Sequence, residues 1–384
     1  MTRNDIPGQK ELKDIFVKLV DDDRLPHAML INSEVGGTSL PLALFLAGYV
    51  LCTNRKNGDA CGECGNCKRI QKLEHPDVHM AVPINLTTTV KKEENRHTES
   101  FLPQLREAFS QNPFLTLQEW YKAIGIDNKQ GFIGKYEGKN LRSKLALRTY
   151  EAGYRIFILW HVETMENSFS NKMLKSLEEP NEKTLFILIT PTPNRLLTTI
   201  ISRVQQFKEA KINDQEIIKF LIDKYKVSEH DAKVYCFRAD GELNAAIKEA
   251  EHQTDTWLDE FKSWMRMAYS RDMLGLFKWS MKMAGSKRDE ERHFISGSLK
   301  VLDRCFRMGW VHTEIPLEGE EAAFYKNFSP FINASNIEGF MDLLTDASFH
   351  IERNVNEKMI WFDTSIQAVR LIHEGKKVTI EESN

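Results

Sequence analysis

Four cysteines, Cys52, Cys61, Cys64 and Cys67, fall within 16 residues in the spacing C-x8-C-x2-C-x2-C. Gly58, Gly62 and Gly65 lie among them and are read as the tight turns that let the sulfurs converge. Four thiolates so arranged suit tetrahedral Zn²⁺, and a closed sulfur shell leaves no position for a catalytic water, so the expected metal is structural. An iron–sulfur cluster also takes four cysteines, whereas disulfides are disfavoured in a reducing compartment. With four sulfurs present, His75 and His79 are assigned no metal role. Cys236 and Cys305 lie far away in helical surroundings and read as buried thiols.

A second group of residues has the outline of a phosphate site. Asn32-Ser33-Glu34-Val35-Gly36-Gly37-Thr38-Ser39 has the position of a G-x-x-x-x-G-K-[ST] loop, which aims backbone N–H groups and one lysine at phosphates and places a hydroxyl on Mg²⁺. Gly37 and Ser39 keep the last glycine and the hydroxyl; Asn32 and Val35 replace glycines, and Thr38 stands where the lysine belongs. An ordinary strand-to-helix turn containing Gly36 and Gly37 fits the same residues.

The elements needed to position such a loop are legible. His27 to Asn32 reads as a short buried strand and Leu40 to Leu51 as an apolar helix, giving strand, loop and helix in the required order. Val78 to Val82, Arg155 to Trp160 and Thr184 to Thr190 read as further strands, the last two as continuous apolar runs of the kind buried in a parallel sheet. Ser168 to Glu179 is an amphipathic helix stopped by Pro180. Strands alternating with helices predict an α/β fold whose parallel sheet is covered on both faces.

The strand ending at Trp160 is where a nucleotide hydrolase needs an Asp-Glu pair for Mg²⁺ and water; Trp160 and His161 stand there instead, and Glu163 is read as a surface residue. From Asn85 to Tyr150 the pattern turns polar, with eleven Lys/Arg against seven Asp/Glu and with Trp120, Tyr121, Phe132 and Tyr136 among them. A basic, aromatic segment can bind nucleic acid, but no tight cationic cluster appears and a solvated helical insertion is the expectation, with a helix from Leu141 to Tyr150.

After Ile212 only helices are expected: Asp214 to Tyr225, Ser228 to Arg238, a shorter one after Gly241, and a helix-rich remainder. In that remainder Trp257, Phe261, Trp264, Phe277 and Trp279 are expected in the core. The chain of 384 residues is long enough for two or three domains. Its 52 Lys/Arg against 55 Asp/Glu give no global attraction to nucleic acid or acidic membrane. The longest apolar run, Leu40 to Cys52, is 13 residues, and the N-terminus is polar, so a cytoplasmic protein without membrane contact is expected.

Together these features resemble the AAA+ clamp-loader subunits of bacterial DNA polymerase III. The matching residues occur in order: Ile6-Pro7-Gly8-Gln9, Arg24-Leu25-Pro26-His27-Ala28, the degenerate loop, the cysteine module inserted behind it, and His75-Pro76-Asp77. Asn171 to Pro180 then resembles the family's Asn-x-Leu-Leu-Lys-x-Leu-Glu-Glu-Pro run, and Ser202-Arg203-Val204 stands at its Ser-Arg-Cys motif. The resemblance covers residues 6 to 207. It implies an AAA+ α/β domain over 1–208 with a zinc module at 52–67, a helical lid over 209–252, and a helical collar over 253–384 that holds a ring of subunits together.

The departures matter for mechanism. The resemblance places Asn244 where a lid arginine would sense the γ-phosphate, so the loop lysine, the acidic pair and the lid arginine are all missing. Phosphoryl transfer depends on positioning and charge stabilisation, so hydrolysis and ATP binding by this chain are not expected. Arg203 remains; in the family this arginine reaches in trans to the γ-phosphate held by a neighbouring subunit. The implied role is a non-hydrolysing member of a hetero-pentamer with gamma/tau-like ATPase subunits and a delta subunit, acting on the sliding clamp and primed DNA. The competing readings are a divergent ATPase subunit of the same loader, and a zinc-containing DNA-binding or repair protein that would use residues 85 to 150.

Overall fold

The computed structural model describes residues 1–34, 36–126, 129–147, 149–150, 153–251, 257–310, 316–353 and 355–382. Val35, within the degenerate loop, and the expected lid-to-collar junction near residue 253 lie outside the described residues. The chain falls into two compact units, Met1–Ala250 and Glu251–Asn384.

The first unit is built on five strands: β1 (Ala28–Asn32), β2 (Val78–Ala81), β3 (Arg155–Trp160), β4 (Thr184–Thr190) and β5 (Gln205–Lys208). They pair in the order β2-β3-β4-β1-β5. Every pairing is parallel, with Leu30 opposite Leu188, Ile158 opposite Ile187 and Met29 opposite Gln205. The continuous apolar runs of β3 and β4 follow from this placement, because alternate residues serve opposite faces. Ile156, Ile158, Leu185 and Ile187 enter one core cluster, while Phe157, Leu159, Phe186 and Leu188 enter another. The Ser39–Leu51 helix, which starts one residue earlier than expected, is buried along its whole length and fills the first of these clusters.

The segment from 85 to 150 is helical, as expected, and most of its charged residues face solvent, but its apolar residues are packed into the core of the sheet domain. It forms helices Leu102–Gln111, Leu117–Ala123 and Lys135–Ala146. Phe101, Leu105, Trp120, Tyr121, Ile124 and Ile126 join the cluster that contains Met29 and Ile158. Trp120 Nε1–H donates to the Pro83 carbonyl at 2.7 Å, and isolated bridges pair Ile84 with Phe132 and Ile133 with Met165. Of the aromatics in this segment, Trp120 and Tyr121 are buried, and the Arg96 guanidinium lies over the Phe132 ring. The last helix of this segment runs Lys135–Ala146, earlier than the Leu141 to Tyr150 expected.

Glu137 on that helix is fully buried, with Oε2 accepting from the Thr98 amide and, at 2.7 Å, from the Thr98 hydroxyl. Burial raises its pKa from 4.5 to about 7, against the opposing Thr98 and Asn140 hydrogen bonds. Because the folded value lies above the unfolded one, the contribution of this group to stability is present below about pH 4.5 and is lost as pH rises through about 7. Glu137→Gln keeps the acceptor without the charge. Relative to wild type it is expected to be near neutral at about pH 4 and stabilising by about 3 kcal/mol at about pH 9, read by urea unfolding at the two pH values; equal effects at both would show that this carboxyl does not titrate with folding.

Three short helices complete the first unit: Asp214–Tyr225, Glu229–Arg238 and Leu243–Ala250. Their core of Ile217, Leu221, Ala232, Cys236 and Ile247 also receives Phe114 from the polar segment. Among the described residues the second unit contains only helices and their connections, from Trp257–Ser270 to Glu357–Glu382. Phe261, Trp264, Phe294 and Trp361 are buried there, and Trp264 stacks on Trp279 at 5.4 Å. Phe277 departs from expectation: it is 45% exposed, against Phe362 at the surface. Cys236 and Cys305 are both buried, as expected. Among the described residues no helix is long and apolar enough to cross a membrane.

Candidate functional site

Parallel pairing brings the C-terminal ends of β1, β3, β4 and β5 to one edge of the sheet, where the residues singled out by the sequence meet. Asn32 ends β1, and the Ser33 amide donates to the Thr190 carbonyl at the end of β4. Gly36 has φ +67°, which a side chain would resist. Thr38 caps the Ser39–Leu51 helix and is 0% exposed.

The loop is occupied by a residue that the sequence reading passed over. Glu209, immediately after β5, is 1% exposed and points its carboxylate into the loop. It accepts from the Glu34 amide at 3.1 Å, from the Thr38 hydroxyl at 2.6 Å, and from the Thr38 amide and Ser39 hydroxyl. A Cβ on Gly37 would sit 2.5 Å from Glu209 Oε1, so glycine is required there by close approach. Nothing local in the sequence marks Glu209; its position follows from β1–β5 pairing, which continues as the Glu209 amide donates to the Asn32 carbonyl.

At the end of β3, Trp160 is buried in the core. His161 takes a left-handed turn, φ +56°, which swings Glu163 inward. Glu163 is thus not a surface residue: its side chain is 8% exposed, bonded to His161 Nδ1 at 2.7 Å and to the Thr190 hydroxyl at 2.6 Å. Burial raises its pKa, but the His161 and Thr190 interactions outweigh this and hold it below the ordinary carboxylate value. Asn244 is buried beside the loop, where a Cβ on Gly36 would lie 3.2 Å from its own Cβ. Its amide donates to the Phe114 carbonyl at 2.7 Å and to Glu119 at 3.0 Å. Glu119 also pairs with Lys248, so the short helices are fastened to the sheet domain at this point.

Arg203 lies apart from these buried groups, in the turn between the Thr198–Ile201 helix and β5. Its side chain is 34% exposed. Nε donates to Glu178 at 2.8 Å, and Nη1 donates to the Thr199 carbonyl at 2.8 Å and to the Ser202 hydroxyl at 3.2 Å. Glu178 belongs to the Leu-Glu-Glu-Pro run, so the two matching motifs touch.

The cysteine module closes on itself. The Sγ atoms of Cys52, Cys61, Cys64 and Cys67 all lie within 4.8 Å of one another, against about 3.8 Å between sulfurs at the corners of a tetrahedron with Zn–S about 2.3 Å. Gly58 and Gly62 take left-handed turns, φ +69° and +72°, but Gly65 does not: it is the first residue of the Gly65–Gln71 helix capped by Cys64. Backbone amides point at the sulfurs, Asn54 and Cys61 at Cys52, Cys64 at Cys61, and Cys67 at Cys64. Burial raises the Cys64 pKa, but amide donors from Cys67 and Thr53 reverse this and bring it down to about 6. Backbone amides lower the Cys61 pKa likewise, while burial raises those of Cys52 and Cys67; it is the convergence of four sulfurs that fits a tetrahedral cation. His79 is elsewhere, its ring against Phe157 and its pKa lowered to about 4, chiefly by burial.

Comparison with known proteins bears on the sheet domain above all. The family described as DNA polymerase III, delta subunit, matches residues 8–213. The DNA polymerase III subunit delta′ of Bacillus subtilis is 29% identical over 226 residues, 59% of this chain and 54% of that protein. The subunit delta′ of Escherichia coli is 26% identical over 263 residues, covering 67% of this chain and 65% of that one. The subunit gamma of Buchnera aphidicola is 24% identical over 323 residues, 82% of this chain and 74% of that one. The match to the Bacillus protein thus spans about half of that relative's length.

Proposed function

The chain belongs to the family of the DNA polymerase III delta subunit, and on that premise we propose that it is a non-hydrolysing, delta′-like clamp-loader subunit. In this reading residues 1–208 form the AAA+ domain, 209–252 its lid and 253–384 a collar. The partners are gamma/tau-like ATPase subunits and a delta subunit in a hetero-pentamer, with the sliding clamp and primed DNA reached through the complex, in the cytoplasm.

One observation carries the proposal. The residues standing where nucleotide-handling charges belong, Thr38, Trp160 and Asn244, are uncharged and buried, while Arg203 is partly exposed, with its hydrogen bonds and its ion pair going to Glu178, Thr199 and Ser202. Loss of all cis charges removes the electrostatic stabilisation that hydrolysis needs. A guanidinium at a subunit face can still serve a neighbour's γ-phosphate, since it stays charged and bonds phosphate oxygens in a fixed fork. Leu274, Phe277 and Met359 in the second unit are exposed, at 64%, 45% and 70%, which suits a unit that packs against other subunits. The cysteines would hold a structural zinc, which supplies no chemistry to the neighbour's site.

The divergent-ATPase reading fares worse because the loop's donors are already taken by Glu209. The DNA-binding reading loses the aromatic half of its support, because Trp120 and Tyr121 are packed into the core while the lysines around them stay at the surface. The test is reconstitution of clamp loading on primed DNA with gamma/tau-type and delta-type subunits. Omitting this chain is expected to abolish loading, while the chain alone hydrolyses no ATP. Full loading without it, or ATP turnover by the isolated chain, would overturn the proposal.

A further inference from the structure

The geometry points to Glu209 as a built-in anion that occupies the degenerate phosphate loop and excludes nucleotide phosphate from it. This rests on the reading of residues 32–39 as a phosphate loop in a non-hydrolysing subunit. Phosphate-binding loops work by converging amides and hydroxyls on an anion at a helix N-terminus. Here the donors are intact and satisfied: two amides and two hydroxyls, from Glu34, Thr38 and Ser39, all reach the Glu209 carboxylate. The Ser39–Leu51 helix has no acidic residue in its first turn, so Glu209 supplies the negative charge that the positive end of its dipole favours.

The carboxylate is held there by structure on both sides. The Glu209 amide extends the β1–β5 ladder to Asn32. Gln9, from the Ile-Pro-Gly-Gln run, clamps the next residue from two directions, donating to the Ala210 carbonyl at 2.5 Å and accepting from the Ala210 amide at 3.1 Å. An entering phosphate would need the same four donors and would bring a second anion against a carboxylate that is 1% exposed. Two negative charges brought together in such a site repel each other at a large cost. Loss of the lysine is therefore only one of two barriers to nucleotide. A lysine restored at position 38 would meet Glu209 and form an internal ion pair.

The full-length chain tests this as wild type, Glu209→Ala, Thr38→Lys and Thr38→Lys/Glu209→Ala. Thermal unfolding is followed from 0 to about 10 mM sodium pyrophosphate, with sodium chloride at matched ionic strength as reference. A site binding pyrophosphate with Kd about 1 mM raises Tm by roughly 3 to 5 °C over that range. That rise is expected for Glu209→Ala, a larger one for the double variant, and less than about 1 °C for wild type and Thr38→Lys. A wild-type rise equal to that of Glu209→Ala overturns the proposal, as does no rise in a cooperatively folded Glu209→Ala. Should Glu209→Ala fail to fold, Glu209→Gln keeps the size and removes the charge; it must respond more than wild type, and an equal response overturns the proposal. A pyrophosphate response in a chain that is dispensable for clamp loading would sink the loader reading and leave this one standing.

Discussion

Arg203→Ala is expected to leave the subunit folded and the loader assembled, yet to slow ATP hydrolysis at the adjoining site by roughly 10³-fold. The two halves of that expectation have separate grounds. The Arg203 side chain bonds to Glu178, Thr199 and Ser202 of its own domain and is 34% exposed. A surface ion pair of this kind contributes about 0 to 1 kcal/mol, so removing it changes little in the chain itself. Its worth in the proposed ring is of another order, because an arginine finger acts on charge developing in the transition state at a site shielded from water. The measurement is single-turnover hydrolysis in a loader reconstituted with clamp and primed DNA, after mass analysis has shown equal assembly. Arg203→Lys should recover little, since a lysine cannot reproduce the fork. Glu178→Ala, which frees the guanidinium from its resting partner, should retain most of the activity. An unchanged rate for Arg203→Ala would reduce Arg203 to the tie between its own turn and Glu178.

Removing the zinc proposed for the four cysteines should have the largest effect on stability. Structural zinc contributes about 10 to 16 kcal/mol of apparent binding free energy in small zinc domains; in a larger unit with its own core a loss of about 5 kcal/mol is expected, lowering Tm by roughly 10 to 20 °C. The path of the damage can be traced. Cys52 follows the last residue of the Ser39–Leu51 helix, and Asn66 in the module donates to the Leu51 carbonyl at 2.9 Å. On the other side the Arg3 amide bonds both Asp59 carboxylate oxygens, at 3.2 and 3.0 Å, and the Arg3 guanidinium reaches the Gly58 carbonyl. Chelation should therefore loosen both the N-terminal segment and the end of the central helix. One zinc per chain by elemental analysis, a colourless protein and a chelator-dependent Tm are the expected results, with Cys64→Ser reproducing the loss. Iron in the protein with visible absorption would replace zinc by a cluster, and an unchanged Tm after metal removal would end the structural role.

Much of this protein was fixed by local sequence. Thr184 to Thr190 is a strand with the bounds expected of it, because seven apolar or β-branched residues between turns leave few alternatives. The cysteine spacing by itself dictated that four sulfurs meet. Family motifs such as Leu-Glu-Glu-Pro and Ser-Arg were legible because they are short and contiguous.

What tertiary structure decided concerns residues whose partners are remote in the chain. Apolar residues in the 85–150 segment are thinly spread among charges, so their density hides their burial; only packing against the sheet shows that Leu105, Trp120 and Ile126 share one core with Met29. Phe114 completes the core of helices that begin a hundred residues later. Glu163 turns inward through one left-handed residue, His161, whose conformation no side-chain pattern announces. Glu209 reads as one more charge after a short strand. It reaches Thr38 and Ser39 in the loop after β1 because parallel pairing places the end of β5 beside the end of β1, joining residues about 170 positions apart. Local composition selects the elements, since it sets which faces must leave water; the loop's chemistry depends on which strand ends become neighbours, and that is settled only when the sheet forms.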